Sequence, residues 1–88
     1  MYMARWCPVC QRARAWLRDG GYPFVELDVE SDAQAAAVLA TVNPRGSVPM
    51  FEIDGQVVVG FDPRLIRLVL ERAVARRAAR GGQWVAAQ

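Results

Sequence analysis

The sequence predicts an α/β domain with the element order βαβαββα, a four-stranded mixed sheet carrying three helices on both faces. Three observations lead there. Apolar residues recur at helix spacing in three stretches, from Val9 to Leu17, from Ala35 to Val42 and from Leu65 to Val74. Short apolar runs fall before and between those stretches and read as strands. Asp54-Gly55 separates two such runs, a strong hairpin signal. At 88 residues the chain has room for one domain with a single modest core. Its hydrophobic fraction of 53% is ample for a packed globule and argues against disorder.

The first strand is the apolar run Met1-Tyr2-Met3-Ala4, which leads into Trp6-Cys7-Pro8-Val9-Cys10. A helix follows, with Val9, Ala13, Trp16 and Leu17 apolar and Gln11, Arg12, Arg14 and Arg18 polar between them. Cys7 therefore stands where a strand gives way to the first turn of a helix. Pro8 suits the first helical position, where its missing N–H leaves nothing unpaired. The placement is chemically pointed. The thiolate is the reactive form of cysteine, and a helix N-terminus stabilises it with free N–H groups and a positive dipole end. Arg5, two residues earlier, can add positive charge. Cys10 lies one turn further in, within disulfide reach and more shielded, so Cys7 is expected to attack and Cys10 to resolve.

Other uses of the pair fit less well. A zinc site needs about four ligands. With no His and only these two Cys in the chain, no metal is expected. A structural disulfide closing so small a loop would stabilise little. Two unrelated buried cysteines are the plain alternative, and the strand–Cys-x-x-Cys–helix context favours redox use over it.

Gly20-Gly21 ends the first helix through a left-handed exit turn. Pro23 to Val29 reads as a strand, with Phe24 or Val25, Leu27 and Val29 as its apolar contributors. Strand–helix–strand favours a parallel pair with a right-handed crossover. Ser31-Asp32 can cap a second helix, whose Ala35, Val38, Leu39 and Val42 form one stripe. Asn43-Pro44 stops that helix, and Arg45-Gly46-Ser47 is a loop. The hairpin strands run from Val48 to Ile53 and from Gln56 to Val59. Pro49 belongs at the start of its strand because it cannot donate to a ladder. Gly60-Phe61 leads into a last helix with Asp62 as N-cap and Pro63 behind it. Leu65, Ile66, Val69, Leu70, Ala73 and Val74 form its apolar side. Arg64, Arg67, Arg72, Arg76, Arg77 and Arg80 form a solvated one, with Arg67 and Glu71 an i,i+4 pair. Gly81-Gly82 ends the helix, so residues 1–80 form the domain and 81–88 a tail from which Trp84 can pack back. The simplest layering puts the first and third helices on one face and the second on the other.

The net charge is +2 and all eleven basic residues are Arg. That charge is too small to argue for nucleic acid, and no aromatic residue is interleaved with the arginines of the last helix. Neither nucleic acid nor a membrane is an expected partner. No apolar run approaches the roughly 20 residues of a membrane span. The N-terminus runs straight into the cysteine motif with no signal peptide visible. A cysteine pair of this kind suits a reduced, cytoplasmic setting.

Three motifs together resemble a known family. Cys7-Pro8-Val9-Cys10 at a strand-to-helix junction, Ser47-Val48-Pro49 before a hairpin and Gly60-Phe61-Asp62 before a last helix are similar to the glutaredoxins of the thioredoxin-fold superfamily. The resemblance extends from Met1 to about Arg80. It implies a thioredoxin-like (glutaredoxin) fold and a thiol–disulfide oxidoreductase that acts as a monomer. Its substrates would be disulfide-containing or glutathionylated proteins, with glutathione as reductant. It implies that Pro49 is a cis proline beside Cys7, although by itself Pro49 reads as a strand-edge proline. Cys7, Cys10 and Pro49 would form the catalytic set. The implied glutathione groove takes in Arg5, Val9, Arg45, Val48, Phe61 and Asp62. Arg5 and Arg45 would meet the glycine carboxylate, the Val48 backbone would pair with the extended peptide, and Asp62 would read the γ-glutamyl end. By themselves the two arginines read as solvated charges and Asp62 as a helix cap.

The sequence also departs from the family. The usual Tyr between the cysteines is Val9, and the usual Gly-Gly-x-Asp-Asp stretch is Val59-Gly60-Phe61-Asp62-Pro63. Phe61-x-Pro63 after a glycine is similar to the ribonucleotide-reductase-associated glutaredoxin-like redoxins, which take electrons from thioredoxin reductase and bind glutathione poorly. The first strand is short, with Met1 standing where the family's strand is already under way. Arg5, Arg45 and Asp62 favour glutathione as the electron source, Val9 and Phe61 favour thioredoxin reductase, and glutathione is the preferred expectation. A third reading, a dimer bridging an iron–sulfur cluster through Cys7 and glutathione, is disfavoured by family precedent because Pro8 stiffens the loop.

Overall fold

A computed structural model describes residues 1–80. The elements are β1 (Tyr2–Met3), α1 (Pro8–Asp19), β2 (Leu27–Asp28), α2 (Ala33–Val42), β3 (Met50–Ile53), β4 (Gln56–Val59) and α3 (Pro63–Ala79). They follow the expected βαβαββα order. The sheet runs β2-β1-β3-β4, with β1 and β2 parallel and the other two pairs antiparallel. The parallel pair arises because α1 carries the chain back before β2 begins, whereas β3 and β4 are joined by two residues. In that turn Asp54 and Gly55 both have positive φ, 51° and 86°. Such a turn matches strand twist and suits Asp-Gly.

Side chains alternate across the sheet, and the two faces are covered separately. Phe51, Ile53 and Val58 pack with Ala13 and Leu17 of α1 and with Ile66, Val69, Leu70 and Ala73 of α3. Tyr2 and Met50 face the other way and pack with Ala35 and Leu39 of α2. Helices one and three thus share a face and helix two holds the other. Asp32 and Asp62 cap their helices as expected, accepting from the N–H groups of Ala35 and of Arg64 and Leu65.

Several local expectations change. The second strand is regular only at Leu27–Asp28, because β1 offers just two residues to pair with. Hydrogen bonds continue past it, from the Met1 amino group to the Val25 carbonyl at 2.7 Å and from the Val29 N–H to the Met3 carbonyl at 3.0 Å. β3 starts at Met50, after Pro49, rather than at Val48. Only Ala35 and Leu39 of the α2 stripe are buried, and Val38 and Val42 are exposed. A ten-residue helix on so small a sheet finds cover for a narrow strip. Leu65 and Val74 of α3 are exposed for the same reason. Gly21, not Gly20, takes the left-handed conformation after α1.

The arginine face of α3 is exposed as expected except at half-buried Arg77, and its partners lie on other elements. The Arg67 guanidinium lies 5.6 Å from the Trp16 ring centroid, and no Arg67–Glu71 ion pair occurs among the described residues. Arg76 and Arg77 reach Asp54 at 3.1 and 3.7 Å. The glycine stop at Gly81-Gly82 and the tail to Gln88, with Trp84, lie outside the described residues. No described helix is long and apolar enough to cross a membrane.

Candidate active site

The α1 N-terminus builds the centre of the site. Cys7 is the N-cap, with extended backbone dihedrals of −86° and 107°, and Pro8 opens the helix behind it. The chain reaches this point through a tight turn in which the Cys7 N–H donates to the Ala4 carbonyl at 3.2 Å. The Cys7 sulfur then accepts the Cys10 backbone N–H at 3.1 Å. A sulfur so placed stands in the path of the helix dipole and of an N–H that has no partner within the helix.

The two thiols differ in setting. Both are free and buried, Cys7 at 4% and Cys10 at 1% relative exposure. Burial, reinforced by the hydrogen bond with Cys7, pushes the Cys10 thiol up to about 11. Cys10 therefore holds its proton at neutral pH and lies beneath Cys7, which caps the helix. The Cys7 sulfur and the Cys10 backbone, one turn apart by sequence spacing, are in contact.

The β3 side supplies the next wall. The Cys7 thiol points at the Val48 carbonyl at 3.9 Å, and the Val48–Pro49 peptide bond is cis, the geometry implied by the resemblance. The loop before it is anchored by a residue that sequence reading treated only as a helix stop. Asn43 is buried, and its Nδ2 donates to the Ser47 carbonyl at 3.1 Å and to the Ser47 hydroxyl at 3.0 Å. Its own carbonyl accepts the Gly46 N–H at 2.8 Å. An Asn beside a loop with a polar residue four positions on was the available signal. The start of α3 is tied to the same wall, because the Gly60 N–H donates to the Pro49 carbonyl at 2.9 Å. Cys7, Val48, Pro49 and the Gly60–Asp62 segment thus meet at one end of the sheet.

The other expected site residues distribute as follows. Val9 and Phe61 are half-buried against the core, with Phe61 edge-on to Trp16 at 6.0 Å between centroids. The Asp62 Oδ1 accepts from Arg64 and Leu65 at 3.2 and 3.3 Å, and its second oxygen takes no part in the cap. Arg45 is exposed in the loop after α2. Arg5 has a carboxylate partner of its own. Its side chain, 87% exposed, pairs with Asp28 at 3.5 Å on the β2 side of the site. Such a surface pair is worth about 0–1 kcal/mol, so the guanidinium is readily drawn to another carboxylate. A further chain of contacts was not legible beforehand. Glu26 holds Arg14, Arg14 donates to the Gln11 side chain at 2.9 Å, and Gln11 donates to the Arg5 carbonyl at 3.3 Å.

Two other features bear on the chemistry. A cleft of about 400 Å³ lined by Pro23, Phe24, Phe51, Asp54 and Arg77 includes none of the cysteine-site residues. No group of His, Cys, Asp or Glu able to hold a metal occurs among the described residues.

Known proteins share this arrangement of sequence. A family model described as Glutaredoxin matches residues 1–58. The chain is 26% identical over 72 residues to an uncharacterized glutaredoxin-like 8.6 kDa protein in the rubredoxin operon of Clostridium pasteurianum, covering 82% of this chain and 96% of that one. It is 34% identical over 62 residues to glutaredoxin 3 of Escherichia coli strain K12, covering 70% and 75% of the two chains. Over 57 residues it is 39% identical to a probable glutaredoxin of Synechocystis, covering 64% and 65%.

Proposed function

The chain belongs to the glutaredoxin family, and on that premise we propose that it reduces protein disulfides and glutathione mixed disulfides with glutathione as electron donor. Its fold is thioredoxin-like and its activity is thiol–disulfide exchange. The observation that carries the assignment of roles is the 3.1 Å contact from the Cys10 N–H to the Cys7 sulfur, with Cys10 itself buried and protonated.

In this reading the Cys7 thiolate attacks one sulfur of the substrate disulfide. A bond forms to Cys7, the substrate S–S bond breaks, and the departing thiolate takes a proton. The mixed disulfide is then resolved in one of two ways. Cys10 loses its proton and attacks the Cys7 sulfur, leaving Cys7–Cys10 oxidised and the second substrate thiol free. Alternatively glutathione attacks and takes over the substrate's place. Two glutathione molecules, oxidised to one glutathione disulfide, restore both thiols. The high proton affinity of Cys10 slows the internal route at neutral pH and gives glutathione room to compete.

Glutathione is supported by the chemistry of the surrounding groups. The Val48 backbone next to Cys7 suits an extended peptide. Asp62, at a helix N-terminus and with one carboxylate oxygen outside the cap, suits an α-amino group beside an α-carboxylate. Arg5 and Arg45, both exposed, suit the glycine carboxylate through paired hydrogen bonds. Val9 and Phe61 would supply the apolar floor. Pro49 would hold Val48 against Cys7. The reduced cytoplasm is the setting in which this donor is abundant.

A second reading takes electrons from thioredoxin reductase. It is favoured by Val9 and Phe61, half-buried apolar side chains where the family usually carries polar ones, with Phe61 edge-on to Trp16. A coupled NADPH-oxidation assay on a glutathione mixed disulfide separates the two. Turnover with glutathione and glutathione reductase is the expected result. Turnover with thioredoxin reductase alone would overturn the glutathione reading.

A further inference from the structure

We propose that Trp6 is a specificity-determining residue that packs against the polypeptide beside a protein cystine, so that the enzyme favours protein disulfides flanked by an apolar side chain over small mixed disulfides. The proposal rests on attack by Cys7 as set out above.

Trp6 is 68% exposed, more than any other large apolar side chain in the described residues. Its indole makes no hydrogen bond or ring contact among those residues. The contrast with Trp16 is sharp, since Tyr22, Phe61 and Arg67 all lie against that ring. Trp6 nevertheless sits on a fixed support. The Ala4–Cys7 turn is closed by the 3.2 Å bond from the Cys7 N–H, and the Arg5 carbonyl is held by Gln11 at 3.3 Å. Gln11 is in turn braced by Arg14 and Glu26. A large ring with two rotatable bonds on a braced turn is ordered at low entropic cost when a partner covers it.

The position of the turn says which part of a substrate meets the ring. Val48 and Asp62 stand on the β3–β4 side of Cys7, whereas Arg5, next to Trp6, reaches Asp28 of β2. A disulfide brings two halves to the buried Cys7 sulfur. The half that lies along Val48 occupies one side, and the other half crosses the Ala4–Cys7 turn. A few-atom thiol there ends before it reaches the indole. A polypeptide continues over it and buries apolar area on both partners.

The test measures the second-order rate constants at which prereduced protein is oxidised by insulin and by the mixed disulfide of glutathione with 2-mercaptoethanol, using acid quenching and mass analysis. No external reductant is needed. Trp6→Ala is expected to lower the insulin-to-small-disulfide ratio about tenfold, equivalent to about 1.4 kcal/mol. Trp6→Phe is expected to lower it less than about threefold, since an aromatic ring remains. An unchanged ratio in Trp6→Ala overturns the proposal, including the case of equal loss on both substrates, which would make Trp6 a support for the turn. Wild-type protein that reacts with neither disulfide overturns the Cys7 reading and the proposal together. Protein that is oxidised normally but not re-reduced by glutathione overturns only the donor, and the Trp6 ratio is read as it stands.

Discussion

The Cys7 sulfur accepts the Cys10 backbone N–H at 3.1 Å, so the atom proposed to attack substrate is also the N-cap of α1. Reactivity and local stability are thereby joined in one side chain. Cys7→Ser keeps an acceptor at the cap and is expected to hold within about 1 kcal/mol of the wild-type stability, whereas Cys7→Ala loses about 1 kcal/mol more. Both are expected to lose disulfide reduction completely, while Cys10→Ser retains glutathione-supported turnover. Urea denaturation of the reduced proteins and the coupled assay measure the two effects. Equal residual activity in Cys7→Ser and Cys10→Ser would overturn the assigned roles.

Burial and the contact with Cys7 push the Cys10 thiol up to about 11. In the unfolded chain the thiol ionises near its ordinary value of about 8.5. As pH rises between those values the unfolded state binds fewer protons than the folded one, so stability falls with pH. The contribution of protonated Cys10 is complete below about pH 8.5 and is lost as pH approaches 11. Reduced wild-type protein is expected to lose stability across this window more steeply than Cys10→Ser. Parallel profiles from denaturant titrations at a series of pH values would show that Cys10 is not held protonated by the fold.

Asp62 offers a way to separate a cap from a ligand. Its Oδ1 accepts the Arg64 and Leu65 N–H groups. Asp62→Ala is expected to cost about 1 kcal/mol of stability, and Asp62→Ser, a cap of similar quality, a few tenths. If the carboxylate also reads the γ-glutamyl amine, both variants raise the KM for glutathione severalfold, because both lose the charge. An unchanged KM in the Ser variant would leave Asp62 as a cap alone.

Asn43 is expected to act on the site through Ser47. Removing its amide in Asn43→Ala breaks two hydrogen bonds and leaves the Ser47 carbonyl short of a donor, a loss of about 1–3 kcal/mol. The freed loop carries Val48, so kcat/KM for disulfide reduction is expected to fall as well. Ser47→Ala breaks only the hydroxyl contact and is expected to be milder on both measures. Thermal melts that rank the two variants in the opposite order would contradict this account.

The features legible in the primary structure are short-range ones. Element order, the Asp32 and Asp62 caps, the Asp54-Gly55 turn and the place of Cys7 at a helix start each depend on residues within a few positions of one another. Neighbouring dihedrals and hydrogen bonds within one turn suffice to specify them. The simplest layering of three helices on one sheet also puts the helices on the observed faces. Chain folding settled matters that involve distant segments. Val38 and Val42 share the spacing of Ala35 and Leu39 yet stay in solvent, because the width of a four-stranded sheet sets how much of a helix it covers. Arg67 has Glu71 one turn away and lies instead over Trp16 of another helix. Arg5 has Cys7 two residues away and meets Asp28. The Val48 carbonyl reaches Cys7 across 41 residues of chain. In each case the partner is chosen by which surfaces the packed core brings together, and spacing along the chain holds no record of that.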